Sequence, residues 1–519
     1  MNNKNEEWEK RSSSNNHIRN YAIERNRQIR ERLNKFDEIK FEVSNEVNII
    51  SHNKVLESLL NEIQKIDFHE ETMLPYSIDL RKKHYITITI DQILKVATKN
   101  KWSLCVNDGM VYIFNGAFWS QLSKQELAKF LGQAAEKLGV DKFDATYYSF
   151  KDELVKQFMS AAYFPKPTNE NDEILVNLQN GTLVISLENQ IVREFDKKDF
   201  LTYQLSFKMN PAAECTLFKK YLNKVLPDES QQKILAEFIG YVFVKHSTLK
   251  LEKALILYGV GANGKSVFFE IITALLGTQN ISNYSLQSLT NETGYYRAAL
   301  SNKLLNYASE ISPRMDSTLF KQLVSGEPVE ARLPYGEPFM LHDYAKLIFN
   351  ANELPKDVEH NEAFFRRFII LHFGITIPEN ERDPFIAKNI ISSELSGVLN
   401  WVLEGLRRLL DKKGFSHSEA VDLLLKNYRE QSDSVQLFIL DHGYIKDSIK
   451  EVPLKEIYAN YKGYCIENGY VVCSAKTFGE RLRNKGFEIK RKNAGKYVYA
   501  AKKTFLEASP GTHPAQLNL

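Results

Sequence analysis

The sequence has little cysteine and no long apolar run, and both absences narrow the classes of protein that it can encode. Only four of the 519 residues are cysteines, and none of them forms a Cys-x-x-Cys pair. This spacing does not suit a zinc site or a disulfide framework, so we expect reduced thiols, most of them buried. Apolar runs are too short to cross a bilayer, and the polar start from Met1 to Glu7 lacks the apolar segment of a signal peptide. We therefore expect a cytoplasmic protein with no membrane partner.

A strong excess of charge of one sign is also missing, because the formal net charge of the whole chain is only +3. A chain with this balance is not a basic coat protein. The charges are unevenly placed, however, since residues 475–503 contain ten lysines and arginines but two glutamates. A local basic patch of this kind is typical of surfaces that bind nucleic acid.

The pattern of charges, turns and apolar residues divides the chain into segments. They are a charged arm (1–84), a small α+β domain (85–210), a helical segment (211–250), an α/β domain (251–378), a helical region (379–444), a small basic unit (445–505) and a tail without fixed structure (506–519). The arm is either partly helical or unstructured, since its composition permits both. Asn-Gly turns between β-prone runs predict hairpins in the α+β domain. Strands that alternate with helices predict the α/β sheet.

The α/β domain contains a phosphate-binding loop of the form G-x-x-x-x-G-K-S. Its residues are Gly259, Val260, Gly261, Ala262, Asn263, Gly264, Lys265 and Ser266. In this pattern the backbone N–H groups bind phosphate oxygens, the lysine contacts the β- and γ-phosphates, and the serine hydroxyl binds Mg²⁺. A β-prone run precedes the loop and a helix from Val267 follows it, as the mechanism requires. The sequence therefore predicts binding and hydrolysis of ATP with Mg²⁺, through contacts from Gly259 to Val267.

Polar residues at the ends of predicted strands are candidates for the chemistry of hydrolysis. Glu310 could polarise the attacking water, or it could be a surface glutamate. Asn350 and Asn352 are two amides at the end of another strand, and either could bond the γ-phosphate or the attacking water, although Asn-x-x-Pro also marks a turn. Arg366 and Arg367 could supply an arginine finger to the ATP of a neighbouring subunit, or be a solvated basic pair.

The order of these motifs resembles that of the superfamily III helicases of viruses, phages and plasmids, and most of all the phage/plasmid primase–helicase family. The resemblance is carried by Gly261 to Ser266, Ala308 to Glu310, Lys321 to Glu327, Ala331 and Arg332, Asn350 to Pro355, and Phe364 to Phe368. It implies an AAA+ P-loop NTPase core of the α/β class. Such cores assemble as rings, usually hexamers, around one DNA strand. Residues 170–250 are similar to the pre-helicase region of that family.

The resemblance also implies roles for single residues. Lys265 and Ser266 take the phosphate and Mg²⁺ roles, and Glu310 is the catalytic carboxylate, which reaches Mg²⁺ through water. Asn352 takes the sensor position, for which Asn350 is the weaker candidate. Arg366 or Arg367 is the finger. The segment from Lys321 to Phe339 corresponds to a hairpin in the ring pore, with Lys321, Arg332 and Tyr335 as candidate DNA contacts. Ser309 stands where many P-loop ATPases carry aspartate. The N-terminal segment is too short for the primase domain of these relatives, so we expect no primase activity.

The small basic unit has the pattern of a winged helix-turn-helix. Residues 454–465 and 474–484 predict helices, and residues 487–491 and 497–501 predict a hairpin. In that fold the second helix lies along a DNA groove and the wing touches the backbone. The candidate contacts with double-stranded DNA are Lys476, Arg481 and Arg483 on the helix and Lys490, Arg491 and Lys492 in the wing. The alternative is a basic surface that contacts a protein.

Together these features predict an ATP-dependent replicative DNA helicase of a phage, plasmid or other mobile element in a bacterial host cell. It would form a ring, move along single-stranded DNA and act with partners in replication initiation. The alternatives are a small-molecule kinase, a DNA-binding regulatory ATPase that does not unwind, and an origin-binding or loading protein whose ATP site controls assembly.

Overall fold

The structure is a computed structural model, and it describes residues 39–43, 49–164, 173–186, 189–308, 311, 316–334, 336–355 and 362–502. Residues 1–38 of the predicted arm, the predicted tail, Glu310 and Tyr335 lie outside the described residues. Within the described part of the chain, no helix combines the length and the apolar character that a membrane span requires. Cys105, Cys215 and Cys465 are buried.

The first unit packs helices against a three-stranded antiparallel sheet. After β1 (Ile39–Glu42), which belongs to the next sheet, its elements are α1 (His52–Glu62), α2 (Phe68–Thr72), α3 (Lys82–Lys99), β2 (Ser103–Asn107), β3 (Met110–Phe114), β4 (Trp119–Leu122), α4 (Lys124–Leu138), α5 (Lys142–Thr146) and α6 (Tyr148–Ala161). Val55 and Leu59 of α1 are fully buried in the same core as Phe130. The core therefore begins inside the segment described from the sequence as a charged arm. Apolar residues occur among the charged residues of this segment at helical spacing, and they pack into the core.

A second sheet connects this unit to the α/β domain. Its order is β1-β7-β6-β5, where β5 is Ile174–Leu178, β6 is Gly181–Ile185 and β7 is Gln190–Arg193. The hairpin predicted at Asn180-Gly181 is the connection between β5 and β6. A 3-10 helix (Lys197–Asp199) follows, and then come α7 (Thr216–Val225) and α8 (Glu229–Tyr241). The strands share a core with these helices and with the α/β domain. Residues 85–210 thus contribute to more than one core.

The α/β domain contains a five-stranded parallel sheet in the order β14-β8-β13-β10-β9. Its elements are β8 (Ala254–Tyr258), α9 (Lys265–Leu276), a 3-10 helix (Thr278–Asn280), β9 (Ile281–Ser282), α10 (Leu286–Leu289), α11 (Tyr295–Ala298), β10 (Leu305–Ala308), α12 (Ser317–Ser325), β11 (Val329–Arg332), β12 (Pro338–Leu341), β13 (Lys346–Ala351), α13 (Glu362–Phe365) and β14 (Phe368–His372). Strands alternate with helices along this domain, as the sequence predicts. The strands β11 and β12 form a separate antiparallel hairpin. Because parallel strands end at one edge, the carboxyl ends of β8, β10 and β13 lie side by side.

A helical region follows β14 and packs against α8, α9 and β14. It consists of a 3-10 helix (Glu379–Glu381), α14 (Ile386–Ser393), α15 (Leu395–Lys412) and α16 (Glu419–Gln431). Helices α8 and α15 cross at very short distance, because a Cβ atom added at Gly405 would lie 2.4 Å from the carbonyl carbon of Ala236. Beside the crossing, the fully buried carboxylate of Glu237 accepts a hydrogen bond from the backbone N–H of Ser416 at 2.7 Å.

The C-terminal unit places helices against a three-stranded antiparallel sheet in the order β15-β17-β16. Its elements are α17 (Ser434–Asp441), β15 (Tyr444–Pro453), α18 (Leu454–Asn468), α19 (Ala475–Asn484), β16 (Ile489–Lys492) and β17 (Gly495–Lys502). The two predicted helices and the predicted hairpin are confirmed as elements. Helix α17 packs into the same core through Phe438, so the unit begins before residue 445.

We predict that Gly405→Ala lowers the free energy of unfolding by about 1–3 kcal/mol, since backbone atoms leave no room for the methyl group and the helices must separate. Urea denaturation measures the effect. Gly463→Ala in α18 is the control, because nothing lies within 4 Å of its added Cβ atom. That change should be neutral or stabilise by up to about 1 kcal/mol. Equal effects of the two substitutions would show that the crossing is not tightly packed.

Candidate active site

The predicted phosphate loop, Gly259 to Ser266, connects β8 to α9 at the carboxyl edge of the sheet. At Gly259 the φ angle is +155°, and an added Cβ atom would lie 2.2 Å from the carbonyl oxygen of Phe373. At Gly264 the φ angle is +88°, and an added Cβ atom would lie 2.6 Å from Val225 Cγ1. Both ends of the loop therefore require glycine, for reasons of backbone conformation and of space.

Neighbouring segments hold the loop in place. The Tyr221 hydroxyl on α7 donates to the carbonyl of Gly264 at 2.8 Å. The carbonyl of Ala262, whose φ angle of +61° lies in the left-handed region, accepts from the N–H of Ile377 at 2.8 Å. The loop is thus tied to the helical segment before the sheet and to the chain that follows β14. Sequence reasoning did not single out Tyr221 or Ile377, since both are distant from the loop along the chain.

Lys265 is folded back over the loop and is only 6% exposed. Its Nζ atom donates to the carbonyl of Gly259 and, at 3.1 Å, to Asn263 Oδ1. The Asn263 amide donates in turn to the carbonyl of Phe373 at 2.8 Å. Burial lowers the pKa of Lys265 below its usual value. Asn263 therefore links the lysine to the end of β14, a role that its position in the motif did not reveal.

The remaining loop residues present their surface outward. Gly261, Ala262 and Ser266 are exposed, whereas Val267 is half-buried and packs against the core. The loop thus offers exposed backbone and the serine hydroxyl, and the lysine amino group lies beside them, bonded to the carbonyl of Gly259. Backbone N–H groups and a cation suit the phosphates of a nucleotide, and the serine hydroxyl oxygen suits a Mg²⁺ ion bound to them.

The two candidate amides on β13 have different surroundings. Asn350 is buried, and its Oδ1 accepts from the hydroxyl of Tyr307 on β10 at 3.1 Å. Asn352 is exposed, one residue past the strand. The backbone N–H of Gly259 donates a hydrogen bond to the carbonyl of Ala351, the residue before Asn352, at 3.0 Å. Asn352 thus stands next to the phosphate loop, whereas Asn350 is engaged inside the sheet. The strand β10, which leads toward Glu310, ends at the same edge on the far side of β13.

His372 also lies at this edge, although sequence reasoning did not identify it. Its ring stacks on that of Tyr258 with centroids 5.4 Å apart, and its backbone N–H donates to Gln231 Oε1 at 3.0 Å. Burial, and then the charge of Lys265, lower the pKa of His372. A neutral imidazole therefore lies close to the loop at neutral pH.

The arginine pair lies at the opposite edge of the sheet, since it precedes β14 and β14 runs parallel to β8. The side chain of Arg366 is 57% exposed and contacts Glu252 Oε2 at 3.2 Å. The side chain of Arg367 is 9% exposed and donates to Ser325 Oγ at 3.0 Å. The structure therefore separates both arginines from the loop of their own chain and buries one of them.

The candidate DNA contacts of the α/β domain fall on different elements. Arg332 is exposed at the end of β11, and its Nε donates to the carbonyl of Gly336 across the hairpin loop at 2.9 Å. Lys321 is half-buried on α12, so it is not part of the hairpin. Tyr335 lies outside the described residues.

The basic residues of the C-terminal unit also differ in exposure. Lys476 and Arg483 on α19 and Arg491 on β16 are exposed. Arg481, predicted to face outward, turns instead toward Asp433, whose carboxylate lies 3.7 Å away and is 4% exposed. A nearly buried carboxylate needs a cation beside it, and no local pattern in the sequence signals this partner.

The wing lysines have acidic partners as well. Lys490 contacts Glu488 at 3.0 Å, and Lys492 contacts Glu451 at 2.6 Å. Both side chains remain about half exposed, at 55% and 47%. Such exposed pairs are weak, so these lysines can still attract a phosphate backbone.

Comparison with known families gives three matches along the chain. Residues 81–227 match a family described as D5 N terminal like, and residues 430–508 match one described as Poxvirus D5 protein-like. Residues 257–367, which include the phosphate loop and the arginine pair, match a family of unknown function. Each model covers less than half of the chain.

A relative from Acanthamoeba polyphaga mimivirus, described as a putative helicase, is 24% identical over 356 residues. The aligned part is 62% of this chain and 36% of the relative, so the chain spans little more than a third of that protein. The D5-type matches and this relative support the superfamily III-type helicase family that the motifs predict.

Solved structures similar to the chain include two of the C-terminal region of NrS-1 without ligand. One is 13% identical with a TM-score of 0.44, and it covers 78% of this chain and 97% of that one. The other is 12% identical with a TM-score of 0.43, and the match covers 79% of this chain and 98% of the NrS-1 chain.

We predict that Asn263→Ala weakens ATP binding about tenfold, because the loop loses its bond to Phe373 and the lysine loses one of its acceptors. Titration with a fluorescent ATP analogue measures the Kd. Asn223→Ala is the control, since Asn223 lies on the exposed side of α7 and accepts a hydrogen bond from Gln232 at 2.9 Å. An unchanged Kd for Asn263→Ala would contradict a role for the amide in shaping the loop.

Proposed function

We propose that the chain is an ATP-dependent DNA helicase of the AAA+ type that acts in the replication of a virus, phage or other mobile element. The observation that carries the proposal is the placement of two groups on one sheet. The phosphate loop lies at the carboxyl edge, and an exposed arginine, Arg366, lies at the amino edge. A chain with this arrangement is complete only when a second copy brings its arginine to the loop.

In this proposal ATP binds along the loop from Gly259 to Val267. Lys265 turns from the carbonyl of Gly259 to the β- and γ-phosphates, and Ser266 holds Mg²⁺. Glu310 activates the attacking water, and Asn352 contacts the γ-phosphate or that water. Arg366 of a neighbouring subunit stabilises the charge that develops in the transition state.

The proposed assembly is a ring, most simply a hexamer, around single-stranded DNA. The hairpin β11–β12 would project into the pore, where Arg332 and Tyr335 contact the strand without regard to sequence. Lys321 supports this region from α12. Hydrolysis at successive subunits would move the hairpins and so draw the strand through the ring.

The C-terminal unit is proposed to be a winged helix that binds double-stranded DNA during loading, alone or with initiation partners. The order of α18, α19 and the hairpin β16–β17 supports it, as does the exposure of Lys476 and Arg483 on α19. The second helix would lie in a groove and the hairpin along the backbone.

We predict that the full chain hydrolyses ATP faster with oligo(dT) and displaces a labelled strand from a forked duplex. Lys265→Ala should abolish both activities, because the phosphates lose their cation. Phosphate release and strand displacement are the measurements. Stimulated hydrolysis without displacement would favour a regulatory ATPase. Hydrolysis that does not respond to DNA would favour a kinase or an assembly switch, and would contradict the proposal.

We predict that the double variant Lys476→Ala and Arg483→Ala binds duplex DNA more weakly. The slope of log Kd against the logarithm of the salt concentration should fall by about 2, because two cations no longer neutralise phosphates. Fluorescence anisotropy at several salt concentrations measures this, and ATP hydrolysis without DNA should be unchanged. Arg481→Ala is the contrasting variant, because it should destabilise the unit around Asp433 and change the slope little. If the slope changes more in Arg481→Ala than in the double variant, Lys476 and Arg483 are not the main DNA contacts.

A further inference from the structure

The two adjacent arginines before β14 differ in their freedom to act outside the chain. Arg367 is 7% exposed, and its guanidinium donates to Ser325 Oγ at 3.0 Å and to the carbonyl of Ala363. Arg366 carries a side chain that is 57% exposed. Of the two, therefore, Arg366 is the one that can reach the nucleotide of another subunit.

Both guanidinium groups share one carboxylate. Glu252 Oε2 lies 3.2 Å from Arg366 Nη2 and 3.4 Å from Arg367 Nη2. The side chain of Glu252 is 28% exposed, so water screens these contacts less than it would on an open surface. The carboxylate thus fixes the exposed arginine relative to the buried one.

The backbone around Glu252 is also attached to the arginines. Its φ angle of +54° lies in the left-handed region, which residues other than glycine rarely adopt unless their surroundings hold them there. The Lys253 amino group donates to the carbonyl of Arg366, and the N–H of Ala254 donates to the carbonyl of Arg367 at 2.8 Å. Side-chain and backbone contacts therefore join the start of β8 to the start of β14.

The buried arginine extends this contact toward the hairpin. Ser325 is fully buried at the end of α12, shortly before β11 begins at Val329. The hydroxyl of Tyr344 fixes the same turn, because it donates to the carbonyls of Gln322 at 3.2 Å and Glu327 at 2.9 Å. A continuous path of contacts therefore leads from the base of the hairpin through Ser325, Arg367 and Glu252 to Arg366.

We propose that Glu252 is a positioning residue that holds Arg366 ready for the nucleotide of a neighbouring subunit, and that Ser325 and Arg367 transmit the position of the hairpin to it. The proposal rests on the proposed function, in which Arg366 is the arginine finger. An exposed arginine has many rotamers, and a carboxylate that selects one of them lowers the entropy cost of reaching the transition state. Glu252 contacts Nη2, which leaves donors of the planar guanidinium for phosphate oxygens.

The test compares steady-state ATP hydrolysis by the full chain with and without oligo(dT). Glu252→Gln keeps the shape of the side chain but removes its charge. We expect kcat to fall about tenfold, as the loss of one charge-assisted hydrogen bond would cause. The KM for ATP should be unchanged, and oligo(dT) should no longer stimulate hydrolysis. Arg366→Ala should lower kcat by about 10³-fold or more. Ser325→Ala should keep the rate without DNA and remove most of the stimulation.

Two further variants separate positioning from a loss of folding. Glu252→Asp keeps the charge and tolerates the positive φ angle better than glutamate, so kcat should recover in part. Glu153→Gln is the matched control, since it removes the exposed contact between Glu153 and Lys82 at 2.5 Å in the first unit and should change nothing. A misfolded Glu252→Gln chain would have reduced ATP affinity, whereas the proposal requires unchanged KM.

The outcomes distinguish this inference from the proposed function. A wild-type chain that does not respond to oligo(dT) would overturn the proposed function and the inference together. A stimulated wild type and an inactive Arg366→Ala, combined with normal kcat and stimulation in Glu252→Gln, would overturn the positioning role alone. A raised KM with unchanged kcat in Glu252→Gln would also overturn it, because that result marks ground-state binding and not the transition state.

Discussion

The candidate active site depends on how the phosphate loop leaves the sheet. The N–H of Gly259 donates to the carbonyl of Ala351 on one side, and the N–H of Phe373 donates to the carbonyl of Tyr258 on the other. These bonds continue the parallel ladder by one step past the strands β13, β8 and β14. The ends of the loop, Asn352 and His372 are consequently placed by backbone hydrogen bonds, to which the side chains of Tyr221 and Asn263 add further contacts. A substitution that disturbs the ladder would move all of them together.

The same ladder gives the two edges of the sheet opposite roles in the proposed function. Residues at the carboxyl edge meet the nucleotide of their own chain, whereas Arg366 at the amino edge faces away from it. The length of β14 keeps these groups apart, so hydrolysis assisted by Arg366 requires a second chain. In the proposed ring, each subunit would complete the site of its neighbour. Glu252 stands where the two strands are linked within one chain, because it lies just before β8 and contacts the residues that precede β14.

Features that depend on local sequence were predicted well, and features that depend on distant partners were not. The loop, the strands of the sheet and the C-terminal hairpin follow from glycine spacing, β-prone runs and turn residues that are adjacent in the chain. The link from Asn263 to Phe373 and the hydroxyl of Tyr221 join segments far apart in sequence, so no local pattern signals them. Arg366 and Arg367 have the same chemistry and adjacent positions, and tertiary packing alone buries one of them. Roles assigned to Glu310 and Tyr335 stay predictions, since both lie outside the described residues.

The C-terminal unit shows why a count of charges overstates a binding surface. The excess of lysine and arginine over residues 475–503 takes no account of acidic residues elsewhere in the chain. Asp433 precedes the unit's sheet, yet it contacts Lys485 at 2.6 Å as well as Arg481, and Glu451 on β15 contacts Lys492. Part of the positive charge therefore stabilises the fold of the unit. The most accessible lysines and arginines lie on the exposed side of α19 and along β16. A DNA duplex bound there would contact a smaller basic surface than the count of charges implies.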